Sequence, residues 1–351
     1  MKFLLKHPFL LGLLAFSAFF ILVISYIFFP PFFRSHQPLD IPVYSKSTTR
    51  EIAKELKEKG VLAFSTPFRI LAKLTRVDRI LKAGLYQISP SMSLWEVLTT
   101  LSEGKSELLT LRIPEGYTAQ QIGEELEKMG VVSTAQFLNA VQDKTLIQKT
   151  GIHGPSLEGF LFPQTYRVPL GASVADLADL MSQQFFQTVG TDYENRCRQH
   201  GLSLYQAVIL ASIVEKEAKL PEEHAIIAGV LYNRLQQNMR LEVNATLNYI
   251  LNSKNPWFTN DQINTRSPFN TYKHRGLPPT PICNPGLTSL EAVVDPADVP
   301  YLYYVAQGDG SHLFATTLAE HEKNVKLAKR LRHLKRIHRQ AALAQSTPNP
   351  G

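Results

Sequence analysis

The residues best equipped for chemistry in this 351-residue chain are two glutamates two positions apart, Glu215 and Glu217, at the charged end of an apolar run from Leu204 to Leu220. A helix over that run, stopped before Pro221, places Glu217 one turn after Ile213 and Val214 and two turns after Leu210. The apolar stripe therefore continues into its carboxyl group, whereas Glu215 follows Ala211 and Ser212. A carboxyl presented from an apolar surface loses hydration of its anion, which raises its pKa and lets it donate a proton near neutrality. That is general-acid chemistry, and Glu217 is the better candidate for it. The bland alternative is that both glutamates are solvated charges at a helix end.

Two further groups of residues fit a polar, stacking cleft. Tyr232, Asn233 and Arg234 fall on the next predicted helix, and a loop-rich stretch from Asn264 to Gly286 carries Asn270, Thr271, Tyr272, Gly276, Pro278, Pro279 and Asn284. Proline and glycine at this density exclude a helix or a central strand, leaving either a rigid groove wall or a cluster of surface turns. Other chemistries lack their parts. Gly154-Pro155-Ser156-Leu157-Glu158 has no final glycine for a nucleophile elbow, and Glu222-Glu223-His224 has no second histidine at zinc-ligand spacing. His224, His274 and His312 read as surface or groove residues, with His312 the one to weigh as a substrate contact. Cys197 and Cys283 match no metal pattern and read as unpaired core cysteines, with a single disulfide between them as the alternative in an oxidising compartment. No metal and no cofactor are expected.

The elements that must position these groups begin with an anchor. No charge interrupts Pro8 to Phe33, and Phe9 to Phe29 is long enough to cross a bilayer as a helix. Lys2 and Lys6 precede it and Arg34 follows, which predicts a cytoplasmic N-terminus and an outward body. A cleaved signal peptide competes, but the run is too long for one and lacks a cleavage site. Next, Ser47–Val61 aligns with Tyr117–Val131 as a repeat that matches Ile52 to Ile122, Leu56 to Leu126 and Gly60 to Gly130. Each copy predicts a short amphipathic helix with a threonine cap and a glycine stop, preceded by a strand near Ile41–Tyr44 or Leu109–Ile113. Between them, Gly84–Ile88 predicts a strand and Ser93–Leu101 a helix with Trp95 and Leu98 in the core. This region reads either as a glycan-binding module or as a spacer; Tyr86 and Trp95 fit core better than sugar stacking. Near the end, Pro300–Ala306 predicts a buried strand, followed by a turn at Gly308–Gly310 leading to His312 and Phe314.

The formal net charge of +7 concentrates between Lys323 and Arg339, so the rest of the chain is near neutral and carries no nucleic-acid footprint. That run predicts a basic amphipathic helix whose Leu327, Leu331 and Leu334 pack on the body, with contact to lipid headgroups or wall polymers as the alternative. Residues 340–351 read as a disordered tail. The fold class is α+β, with boundaries at 1–34 for the anchor, 40–145 for the membrane-proximal part, 150–325 for the catalytic domain and 326–351 for the basic helix and tail.

At Ala211-Ser212-Ile213-Val214-Glu215-Lys216-Glu217, Tyr232-Asn233-Arg234-Leu235, Asn270-Thr271-Tyr272, Gly276-Leu277-Pro278-Pro279 and Asn284-Pro285-Gly286, the chain resembles the YceG-like family of endolytic murein transglycosylases. Glu158-Gly159-Phe160-Leu161-Phe162-Pro163 adds to the likeness. The resemblance implies a bacterial single-pass inner-membrane protein with a LysM-like membrane-proximal subdomain and a catalytic domain on the periplasmic side. Its implied substrate is peptidoglycan glycan strands, cut internally with 1,6-anhydro-muramic acid ends, with peptidoglycan synthases as candidate partners. It also implies Glu217 as the catalytic glutamate. Three positions depart from the family's usual pattern: Asn244, within Val243-Asn244-Ala245-Thr246, and Gln164 and Gln307, where acidic residues are common. The competing expectation is a wall-binding or divisome scaffold with weak activity.

Overall fold

The computed structural model describes residues 8–31, 35–43, 47–81, 84–104, 108–169, 172–253 and 258–346. Lys2, Lys6, Arg34 and Tyr44, which enter the expectations above, lie outside them. The chain is mixed α+β, and its contacts divide it into two compact units: residues 1–111, 126–132 and 166–177, and residues 112–125, 133–165 and 178–351.

In order, the chain first forms α1 (Pro8–Phe28), β1 (Leu39–Val43), α2 (Thr49–Glu58), α3 (Ser65–Leu74), β2 (Gly84–Ile88), α4 (Leu94–Glu103) and β3 (Leu108–Arg112). Strands β1 and β2 pair antiparallel with Ile41 opposite Tyr86, and α2, α3 and α4 cover them over a core that includes Ile52, Leu56, Phe68 and Leu98. Tyr86 is fully buried and donates its hydroxyl to the Leu101 carbonyl. Trp95 is not in that core: it is 38% exposed and tilts against Phe28. The reason is helical phase, because Leu94, Val97, Leu98 and Leu101 form the buried stripe of α4 and Trp95 falls beside it.

Among the described residues no helix is long and apolar enough to cross a membrane. Phe16, Phe19 and Leu22 are exposed, while Tyr26 and Ile27 pack against the small core.

The second copy of the repeat is α5 (Ala119–Lys128). Ile52, Leu56, Ile122 and Leu126 are all buried, and both copies stop at a left-handed glycine, Gly60 at φ 76° and Gly130 at φ 69°. The same back-bond closes each helix, Val61 N–H to Leu56 O at 2.9 Å and Val131 N–H to Leu126 O at 3.0 Å. This is the glycine C-cap that the aligned sequences predict.

The remaining elements are α6 (Thr134–Val141), α7 (Lys144–Thr150), β4 (Thr165–Pro169), α8 (Val174–Val189), α9 (Tyr193–Gln199), α10 (Leu204–Glu217), α11 (His224–Gln236), α12 (Asn244–Leu251), α13 (Asn260–Ile263), α14 (Leu287–Val294), β5 (Tyr303–Ala306), β6 (His312–Ala315) and α15 (Leu318–Ser346). Strand β3 pairs with β4, which is not among the elements expected from the sequence, and β5 pairs antiparallel with β6. Helix α10 is the hub. Every residue from Ala207 to Val214 is buried, as befits a helix that is apolar all round, and α9, α11, α12 and α14 pack about it. The stretch between α13 and α14 carries neither helix nor strand.

Three expectations need correction here. Strand β5 is half-buried, not buried, because it forms a two-stranded hairpin with β6. In α15 the inward face is not the leucine stripe: Leu327 and Leu334 are 45% and 51% exposed, while Ala328 is buried, Asn324 donates to Phe314 O and His321 stacks on Tyr303. Those three inward residues lie at i, i+3 and i+7, the face turned to the hairpin. Finally, residues 340–346 continue α15; their Ala, Gln and Leu content favours helix.

Candidate active site

Helix α10 is capped by Ser203 and Gln206 at one end and delivers Glu215, Lys216 and Glu217 at the other. Its last residue is Glu217, because Ala218 turns extended at φ −76°, ψ 139°. The two glutamates then diverge. Glu215 accepts from Gly286 N–H at 3.1 Å and from the Ser289 hydroxyl at 2.6 Å, which puts a carboxylate on the N-terminus of α14. Lys216 reaches the Gly116 carbonyl at 2.5 Å. Glu217 opens into a cleft of about 1350 Å³ with Asn244, Ala245, Asn248, Tyr249 and His312 in its wall; Lys216 also lines this cleft, and Glu215 does not.

Each oxygen of Glu217 has one donor: Ala245 N–H at 3.1 Å and the Tyr304 hydroxyl at 3.3 Å. Loss of hydration raises its pKa above the ordinary carboxyl range; the Ala245 N–H, the nearby His312 and the Tyr304 hydroxyl pull the other way without winning. The carboxyl is thus biased toward the protonated form while two donors wait to stabilise the anion. Burial and the Glu217 charge push the Tyr304 hydroxyl well above its usual range, so it stays a donor.

The residues marked out in sequence hold these donors in place. Thr271 accepts from Val243 N–H at 3.1 Å and bonds Thr246 at 3.0 Å, while Tyr272 donates to the Asn244 side chain at 2.7 Å. Together they fix the first turn of α12, which aims Ala245 N–H at Glu217. Asn270 braces that loop by donating to Ile263 O and Thr265 O and accepting from Tyr272 N–H. On the other side, Asn233 donates to Val299 O and Tyr301 O at 2.7 and 2.9 Å, and Arg234 donates to Leu302 O at 2.6 Å. These bonds hold the chain entering β5, and so place Tyr304. Tyr232 donates inward to Val293 O. Gly276 takes φ 80°, Pro278 is buried and Pro279 exposed; none of the three lines the cleft with Glu217. Asn284 is fully buried: its side-chain oxygen takes Gly159 N–H and Leu161 N–H, and its amide donates to Tyr117 O and Glu158. Gly159 is required there, since at φ 91° a Cβ would meet Pro281 at 2.6 Å and Val208 at 2.7 Å.

Sequence reasoning missed three participants. The Ala245 N–H carries no residue-type signal at all, and Tyr304 lies 87 residues from Glu217. Glu158 also lines the cleft; its oxygens take Ala119 N–H at 3.0 and 3.1 Å, and burial pushes it up to about 8. Of the departures from the family pattern, Asn244 takes the Tyr272 bond and lines the cleft, Gln307 braces the turn through Ser311, and Gln164 is exposed with its carbonyl on Ile113 N–H. Cys197 and Cys283 are both free and buried. His224 bonds Leu220 O, and His274 lines a separate 630 Å³ hollow with Arg266 and Lys273.

Residues 41–327 match the YceG-like family. The chain belongs to the YceG-like family. An endolytic murein transglycosylase of Streptococcus pneumoniae is 30% identical over 311 residues, covering 80% of this chain and 56% of that protein, so the chain spans about half the length of this relative. The protein of the same name from Bacillus subtilis is 28% identical over 306 residues, covering 82% of this chain and 84% of its own. The crystal structure of a YceG-like protein from Listeria monocytogenes superposes with a TM-score of 0.56 at 30% identity, covering 82% of this chain and 99% of that one.

Proposed function

We propose that this chain is an endolytic peptidoglycan lytic transglycosylase in which Glu217 acts first as acid and then as base. The observation that carries the reading is a carboxyl of raised pKa in a large cleft with a separate donor on each oxygen. Protonated Glu217 gives its proton to the glycosidic oxygen between muramic acid and glucosamine as the bond to C1 breaks. The resulting carboxylate is held by Ala245 N–H and Tyr304. It then accepts the proton of the muramyl 6-hydroxyl as that oxygen bonds to C1, which closes a 1,6-anhydro ring and restores the acid. No water is consumed, and because the nucleophile sits on the same sugar, one carboxyl group serves both steps. That need for a single group separates this chemistry from the paired carboxylates of hydrolytic glycosidases. The relatives named as endolytic murein transglycosylases support the substrate class.

We further propose that α1 anchors the chain as a single-pass helix in a bacterial cytoplasmic membrane, with the cleft on the outer side. The exposed Phe16, Phe19 and Leu22 support a helix surrounded by lipid. The small β1–β2 unit serves as a LysM-like spacer or glycan module, and the fixed reach of an anchored cutter favours work beside peptidoglycan synthases. The test is mass spectrometry of purified peptidoglycan treated with the full chain in detergent. Internal fragments with 1,6-anhydro ends are expected; reducing ends alone would make it a hydrolase, and absence of products would favour a wall-binding scaffold.

A further inference from the structure

Glu223 lies just before α11 and is 7% exposed. Both of its oxygens go to one residue at the start of β6: His312 N–H at 2.9 Å and His312 Nδ1 at 2.6 Å. A clamp on the hairpin needs only the backbone bond. Gripping Nδ1 as well fixes the rotation of the ring and leaves Nε2 as its remaining polar atom. That ring belongs to the wall of the Glu217 cleft and stands edge-on to Tyr304, with centroids 5.5 Å apart and planes at 88°. Tyr304 in turn bonds Glu217. A buried carboxylate, an imidazole fixed by it, and the candidate acid thus form one connected group, although they come from three separate segments.

We propose that His312, oriented by Glu223, is a second catalytic residue of this cleft, its Nε2 bonding the muramyl ring so that the ring's own 6-hydroxyl faces C1. The proposal rests on the transglycosylase reading above. Once the C1–O bond has broken and the departing oxygen has taken the Glu217 proton, two nucleophiles compete for C1. If O6 bonds to C1 and its proton passes to the Glu217 carboxylate, the product is a 1,6-anhydro end. If a water oxygen bonds to C1 and its proton passes to the same carboxylate, the product is a reducing end. Both routes balance, and only the first depends on the conformation of the ring. Because a well-oriented intramolecular group reaches effective concentrations of roughly 10⁵–10⁸ M, loss of that orientation registers in the ratio of the two ends.

The experiment compares the full chain in detergent with its His312→Gln and Glu223→Gln variants on purified peptidoglycan, counting anhydro and reducing ends by mass spectrometry. His312→Gln is expected to slow formation of anhydro ends about 10²-fold while the share of reducing ends rises. Glu223→Gln, whose single amide oxygen can accept from His312 N–H or from Nδ1–H but not from both, should move the ratio the same way by less, and it carries the test should His312→Gln fail to fold. Anhydro ends formed at the wild-type rate, or both kinds of end falling in equal proportion, would overturn the role of His312 while leaving an active wild type. No product from the wild type would instead remove the transglycosylase reading, and this proposal with it.

Discussion

Helices α10 and α11 follow one another around the same core, and each carries a polar triplet near its C-terminal end, yet the two triplets do opposite work. Glu217, the last residue of α10, opens into the cleft. Tyr232, Asn233 and Arg234 of α11 turn to the backbone carbonyls of Val293, Val299, Tyr301 and Leu302. One helix presents the candidate acid, and the other secures the strand that brings Tyr304 to it. Polar residues in a recognisable string can therefore divide between lining the cleft, as Glu217 does, and bracing the backbone around it, as Asn233 and Arg234 do.

The contrast makes the α11 side a matter of stability. Arg234 is 7% exposed, bonds three carbonyls besides Glu242, and lies 5.0 Å over the Tyr303 ring. Arg234→Ala should cost about 3–5 kcal/mol, the range for disrupting a buried charged network, as read by urea denaturation. Unchanged stability would mean that α11 does not hold β5. Asn284→Ala would strip partners from Gly159 N–H and Leu161 N–H, and should cost on the order of 3 kcal/mol at about 1–3 per unsatisfied group. Calorimetry would show it as a lower midpoint, whereas a direct substrate contact would lower turnover at an unchanged midpoint.

On the α10 side the effects fall on rate and pH. Tyr304→Phe removes a donor to the carboxylate, so the pKa of Glu217 should rise further and the alkaline limb of the activity profile should move up. Turnover should fall roughly 10- to 100-fold, in keeping with about 1.5–3 kcal/mol for a hydrogen bond to a charged group. A pH–rate profile coincident with wild type would detach Tyr304 from the reaction. The smallest effect concerns folding. Glu217 titrates above its unfolded value, so its neutral form carries stability that is complete in acid and is lost as pH rises through the raised pKa. Glu217→Gln should accordingly raise the melting midpoint at neutral pH and leave it little changed near pH 4; equal shifts at both would assign the gain to something other than ionisation.

How much of this was legible in sequence follows the distance over which each signal acts. The caps and glycine stops of α2 and α5 and the strand Gly84–Ile88 rest on spacing within a few residues, and the structure bears out those local features; the different surroundings of Glu215 and Glu217 also follow from local helical phase. Trp95 was misplaced because one helical position separates core from surface. The partners of Glu217 were out of reach for a different reason. A backbone N–H at Ala245 leaves no trace in residue type, Tyr304 resembles its neighbours Tyr301 and Tyr303, and Glu223 meets His312 only once the hairpin lies beside α11. The 264–286 loop reads equally as a groove wall or as surface turns; in the structure Asn270, Thr271 and Asn284 turn to backbone groups and brace the site instead of lining the cleft, an outcome set by the distant backbone groups they meet.

The most direct test of Glu217 as acid and base is turnover of purified peptidoglycan by the Glu217→Gln chain beside wild type, with both shown to be folded. Glutamine keeps one acceptor, for Ala245 N–H, and its amide nitrogen can donate to the Tyr304 hydroxyl, but it has no acidic proton to give, so anhydro ends should disappear. Anhydro ends released by the glutamine variant at a rate near that of wild type would contradict the assignment and place the proton transfer on another group.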